Sequence, residues 1–214
     1  MMRRRNVHLK RLFEIAVVCL TCSVFLGWTG DLKKFGEEAK AVKSLSADFV
    51  QEKNLKILVQ PFVSKGIFYF KKPGSLRWEY KSPVGSVLLM HNGETRRFLE
   101  GRDGFREDQG PGMQGMQVVM GEISLWLSGN FGDNPDFEAT VEDKRAIVLR
   151  PRTESLSKFI SKIELLPSDR PGVIRSVVLY EGDDSYTTIR FENVRVNEDP
   201  PESLFLKGPP DIEK

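Results

Sequence analysis

Cys19 and Cys22 are the only cysteines in the 214-residue chain. Their C-x-x-C spacing can close a redox pair or supply half of a zinc site. Both lie inside the uncharged run Ile15–Gly27, and no second ligand pair follows, so neither chemistry is expected. The run Cys19-Leu-Thr-Cys22 also fits poorly to the Leu and small residues expected just before a lipid-attachment cysteine. Beyond residue 30 the chain has one histidine, His91, beside the turn dipeptide Asn92-Gly93. Ser155 and Ser157 have no histidine partner by motif. Glu181, Asp183 and Asp184 cluster, but in the composition of a hairpin tip. Residues 110–115, GPGMQG, satisfy G-x-G-x-x-G; a phosphate-cradling loop needs a βαβ setting and its backbone N–H groups, and here hairpins surround it and a proline removes one donor. The expectation is a protein that is not an enzyme and uses neither metal nor cofactor.

The basic stretch MMRRRNVHLKRLFE followed by Ile15–Gly27 has the build of a signal peptide, its apolar run being short for a transmembrane helix. Residues 1–30 are therefore expected to be a signal peptide, cleaved between residues 23 and 30, with an uncleaved anchor as the alternative, and residues 31–214 to form a single domain. The first segment holds five of the 32 basic and one of the 30 acidic residues. The remainder carries 27 basic and 29 acidic residues, a net of −2. No concentrated basic patch supports a nucleic-acid partner.

The elements that would position any site are mostly strands. Leu32, Phe35, Ala39, Val42 and Leu45 recur at helical spacing and predict one amphipathic helix. Period-2 alternation then predicts strands over 47–53, 62–71, 76–80, 86–91, 95–100 and 105–107, with Asn92-Gly93 and Asp103-Gly104 as turns. A second helical stripe follows: Met113, Met116, Val119, Met120, Ile123, Trp126 and Leu127. Its methionines are unbranched and can repack around varied apolar partners, and its glycines weaken it. Strands resume over 137–142, 146–151, 160–166, 174–180 and 186–196. In GIFYFKKPGSLRWEYKSP, residues 66–83, Leu76, Trp78 and Tyr80 share one face of a strand. The strand before it is apolar on both faces, Ile67 and Tyr69 on one and Phe68 and Phe70 on the other. Consecutive antiparallel strands of this number curl. The expected fold is mainly β (α+β), a strongly curved sheet whose inner face needs a helix or a ligand over it.

From about Leu32 to Pro210 the chain resembles the LolA-type periplasmic lipoprotein carriers. SLSADFVQ resembles the family's opening strand, SKGIFYFKKPGSLRWEY its most recognisable hairpin and VLLMHNGE the strand and turn that follow, with His91-Asn92 where Asp is usual. TTIRFENVRVNEDPPESLFLKGPPD is similar to the closing strands and Pro-Pro tail. The resemblance implies an unclosed antiparallel β-barrel capped by a helical lid over an apolar cavity. It implies a carrier in the periplasm of a Gram-negative bacterium, monomeric, with three partners: acylated lipoproteins, an inner-membrane ABC lipoprotein-release complex and an outer-membrane acceptor lipoprotein. A basic residue before the hairpin proline, usually arginine in the family, binds the lid; Lys72 matches, without arginine's fork. The residues expected to line the cavity are Ile67, Tyr69, Leu76, Trp78, Tyr80, Met113, Met116, Met120, Ile123, Trp126 and Leu127. A carrier of another periplasmic lipid and an envelope-stress sensor of related architecture are the alternatives.

Overall fold

Most of the alternating segments pair with the next in sequence as antiparallel hairpins. A computed structural model of the chain describes residues 31–110, 113–132, 134–142, 146–182 and 184–209, with backbone alone for 113–118. The segment expected to be a signal peptide lies outside the described residues. Eleven strands form one antiparallel sheet: β1 (Ser44–Asn54), β2 (Phe62–Lys71), β3 (Ser75–Ser82), β4 (Ser86–His91), β5 (Glu94–Gly101), β6 (Gly104–Asp108), β7 (Phe137–Glu142), β8 (Ala146–Pro151), β9 (Ile160–Pro167), β10 (Ile174–Glu181) and β11 (Tyr186–Val196). The order across the sheet is β6-β5-β4-β3-β2-β1-β11-β10-β9-β8-β7, so β1 pairs with β11 and the sheet stays open, with β6 and β7 as edges. The Asn92-Gly93 turn has positive φ at both residues, 51° and 82°, the geometry that matches strand twist in a two-residue hairpin.

Helix α1 covers residues 31–40 and α2 is Met113–Leu127, with one-turn helices α3 (Glu154–Ser157) and α4 (Ser203–Leu206). Sequence periodicity predicts α1 and α2; the short α3 and α4 carry no such signal. Among the described residues no helix is long and apolar enough to cross a membrane.

The inner face holds two apolar clusters. One joins Phe49, Phe68, Phe70, Leu76 and Trp78 to Val42 and to Met120 of α2. The other joins Phe137, Ile147, Leu149, Ile163 and Leu165 to Phe35 and Ala39 of α1 and Trp126 of α2. The outer face is covered too. Val87, Leu89 and Phe98 are buried there, α4 lies against β3 and β4, and Phe205 is buried. Arg77 fixes that cover: it donates to the Glu79 carboxylate (2.8 Å) and to the carbonyls of Leu204 (3.1 Å) and Lys207 (3.0 Å). The carbonyl contacts satisfy the end of a helix too short to hold itself.

Candidate functional site

Between the two clusters and under α2 lies a cavity of about 590 Å³, within the range of ligand sites. Of its nineteen lining residues only Glu122 and Ser155 are polar. The floor on one side is Phe68, Trp78 and Phe191, with ring centroids 5.1 Å apart for Phe68 and Trp78 and 5.7 Å for Phe68 and Phe191. The other side is Ile163, Ile174, Val177 and Leu179, from β9 and β10. The roof is the second half of α2, through Val119, Ile123, Trp126 and Leu127. Phe159 also lines the cavity yet is 72% exposed, and Val119 is 49% exposed. A side chain that meets both the cavity and solvent marks a mouth, so the cavity opens beside Phe159 and Val119.

The structure brings Trp78, Ile123, Trp126 and Leu127 together at the cavity. Leu76 and Met120 are buried in the cluster beside it, not on its wall. Tyr80 packs against that cluster and donates to Gln51 Oε1 at 2.8 Å; burial pushes its phenol up to about 12. The side chains of Met113 and Met116 lie outside the described residues. Ile67 and Tyr69 are a correction: they face the other side of β2, beside Asp48 and Asn193. Directly opposed residues of antiparallel strands share a face, and the register pairs Phe68 with Trp78 and Phe70 with Leu76. With Leu76 and Trp78 inward, Phe68 and Phe70 must be inward as well. The β9, β10 and β11 wall was missed because nothing local tells which distant strands will face one another.

Glu122 is 6% exposed in a wall that is apolar apart from it and Ser155. Its carboxylate accepts from Asn134 Nδ2 at 2.6 Å, and Asn134 Oδ1 accepts the backbone N–H groups of Asp136 and Phe137, both at 2.9 Å. The helix is thereby tied to the start of β7. Desolvation raises the Glu122 pKa above the ordinary carboxylate value; the Asn134 hydrogen bond opposes this and Asp136 adds to it. The indole N–H groups of Trp78 and Trp126 are buried, the first beside Tyr80 and the second beside the Glu122 carboxylate.

Lys72 sits at the other helix. Its ammonium donates to Ala39 O (3.0 Å) and Lys40 O (2.8 Å), the last carbonyls of α1, where the helix dipole favours a cation. Burial, and then Lys40 nearby, lowers its pKa. Among the described residues it makes no hydrogen bond to α2. His91 Nδ1 pairs with Ser75 Oγ at 2.8 Å, away from the cavity. No group of three or more His, Cys, Asp or Glu is arranged to hold a metal among the described residues.

The family model of the outer membrane lipoprotein carrier protein LolA matches residues 40–207. No curated protein matches. Solved structures similar to this chain include a LolA superfamily protein from Nitrosomonas europaea, at 12% identity and TM-score 0.47, covering 84% of this chain and 97% of that one. A DUF1329 family protein from Desulfovibrio piger gives 10% and 0.46, covering 82% and 94%. The MucA/MucB complex of Pseudomonas aeruginosa gives 15% and 0.37, covering 84% and 60%. With 168 of its 214 residues inside the matched span, 40 to 207, the chain belongs to the LolA family.

Proposed function

We propose that the protein is a periplasmic, non-catalytic carrier that shelters the acyl chains of lipoproteins in the cavity under α2. It would take them from an inner-membrane ABC lipoprotein-release complex and deliver them to an acceptor at the outer membrane. The observation that carries this reading is the cavity wall, apolar but for Glu122 and Ser155 and roofed by one helix. Acyl burial contributes roughly 0.8 kcal/mol per CH₂, so one long chain supplies around 10 kcal/mol against the cost of lifting the roof. Lid and cargo compete for the same apolar floor, which moderates the net affinity and permits release.

The test adds purified protein to spheroplasts that secrete a triacylated lipoprotein. A soluble one-to-one complex in the supernatant is expected. A lysine, Lys72, bonded to the α1 carbonyls at the position where the family usually has arginine favours a second reading, a carrier of another apolar ligand on the same fold. No release from spheroplasts together with saturable binding of a fluorescent fatty acid would select it.

A further inference from the structure

The register of the sheet gathers its exposed apolar side chains at one end. The pairs Lys53 with Phe62, Asn54 with Tyr186, Lys65 with Ser82, Ser86 with Leu99, and Glu181 with Ile160 put these strand ends along one rim. Of eleven exposed large hydrophobic residues among the described ones, nine belong to that rim; Val119 on α2 and Leu206 on α4 are the others. The opposite end, with the turns at 72–74, 92–93 and 168–172, has none among the described residues. The rim's high point is the β1–β2 hairpin, where Ile57 is 87% exposed and Val59 102% exposed, followed by Phe62 at the start of β2. Val84 and Tyr186 extend it to either side, and Phe159 joins it to the cavity mouth.

Scattered exposed apolar residues need no explanation, but a contiguous set does. The set projects at its high points: Ile57, Leu58 and Val59 lie on the β1–β2 connection and Val84 on the β3–β4 connection, with Phe62, Val63, Leu99 and Tyr186 in the adjoining strand ends. A partner with a fixed surface would have to be hollowed to receive them, whereas a bilayer deforms around them. The charges agree. Three rim acids are paired, Glu181 with Lys53 at 3.1 Å, Asp184 with Lys56 at 3.3 Å and Asp103 with Arg106 at 2.8 Å, and Glu100 accepts the backbone N–H of Gly85 at 2.8 Å. Lys65, Lys81 and Arg102 are exposed in addition, so the described rim carries an excess of cations. Their aliphatic stems can lie along apolar surface while their charges reach anionic headgroups.

We propose that this end of the sheet docks on an anionic lipid surface, inserting the β1–β2 hairpin tip and presenting the cavity mouth to the bilayer. Docking itself is independent of the cargo. Its use, passage of an acyl chain between bilayer and cavity without crossing water, rests on the carrier reading above.

The experiment is flotation of the purified protein with vesicles of phosphatidylethanolamine and phosphatidylglycerol, and with phosphatidylcholine alone. The protein is expected to float with the anionic vesicles. The exposed double variant Ile57→Asp, Val59→Asp is expected to lower the bound fraction about tenfold or more with unchanged melting. Leu206→Asp, exposed but off the rim, is expected to bind like the wild type. Val59→Trp should give an emission component that shifts to the blue with anionic vesicles. Absence of wild-type flotation, or equal flotation of the double variant, would overturn the proposal. So would a double variant that floats normally yet fails to transfer cargo in cells, which would assign the tip to a protein partner. Fluorescent fatty-acid binding in vesicle-free solution, expected to be equal in wild type and double variant, separates the two readings: its absence in both overturns the carrier and leaves docking to be judged by flotation alone.

Discussion

The two long helices touch the same sheet in different ways. Helix α1 is fastened through its backbone. A Cβ placed on Gly172, which has φ of +68°, would lie 2.4 Å from Ala39 N, and one on Gly129, φ +78°, would lie 2.2 Å from Gly36 O. Ala39 is fully buried and Lys72 closes the helix end. The described half of α2 is fastened by side chains over a cavity instead, with Val119 half-exposed and one buried carboxyl tied to a loop. The C-terminus of α2 meets α1 backbone to backbone at the Gly129 turn, where Gly129 N–H and Asn130 N–H close onto Trp126 O and Leu125 O at 3.0 Å each. The contrast separates an anchor from a cover. Close backbone packing has no second arrangement, whereas an apolar helix face over an apolar cavity can exchange its contacts for those of a ligand.

Substitutions sharpen the contrast, beginning with the anchor. Gly172→Val combines a left-handed backbone with a clash against α1 backbone, and is expected to lower stability by about 3 kcal/mol or more in urea unfolding. A loss under about 1 kcal/mol would show that α1 is not fastened there. Val119→Asp should leave stability nearly unchanged because the site is half-exposed, yet weaken fatty-acid binding about tenfold or more by placing a charge on the cavity roof. The reverse result, unfolding with binding retained among folded molecules, would make α2 the structural helix. Lys72→Met removes the cation from the α1 carbonyls and should cost about 1 kcal/mol without changing ligand affinity; a changed affinity would return Lys72 to the lid.

Glu122→Gln carries the smallest effect and tests its sign by pH. Because the folded-state pKa is raised, the native protein keeps a proton that the unfolded chain has released. Wild-type stability therefore falls as pH rises from the ordinary carboxylate value through the raised one, and stays at the lower level above it. Gln can still accept from Asn134, so the variant should show no such fall. Its advantage should open with rising pH and be smallest at about pH 4. An advantage that instead grew on acidification would contradict the assignment.

Most of the fold was legible because alternation and turn chemistry are local: all eleven strands and the Asn92-Gly93 and Gly129 reversals follow from residues within a few positions. The inward face of β2 was not, since Ile67, Phe68, Tyr69 and Phe70 are all apolar and periodicity cannot rank two greasy faces. The missing signal was the turn itself. Residues 72–74 form a three-residue connection between Lys71 and Ser75, and that odd length sets Phe68 opposite Trp78. The cavity was half legible for a related reason. The stripe on α2 names its own apolar face, but Ile163, Ile174, Val177, Leu179 and Phe191 become a wall only when β1 pairs with β11 and the sheet curls. Glu122 was not singled out because an acid between helical apolar positions reads as solvent-facing until burial is seen.

Trp78 and Trp126 stand in the floor and roof of the cavity, so a brominated long-chain fatty acid placed between them would quench their fluorescence on contact. Titration of the protein with this ligand tests the central claim most directly. The account predicts saturable, one-to-one quenching that unlabelled fatty acid reverses and that Val119→Asp weakens. Absence of saturable quenching in the folded protein would contradict an acyl-binding cavity under α2.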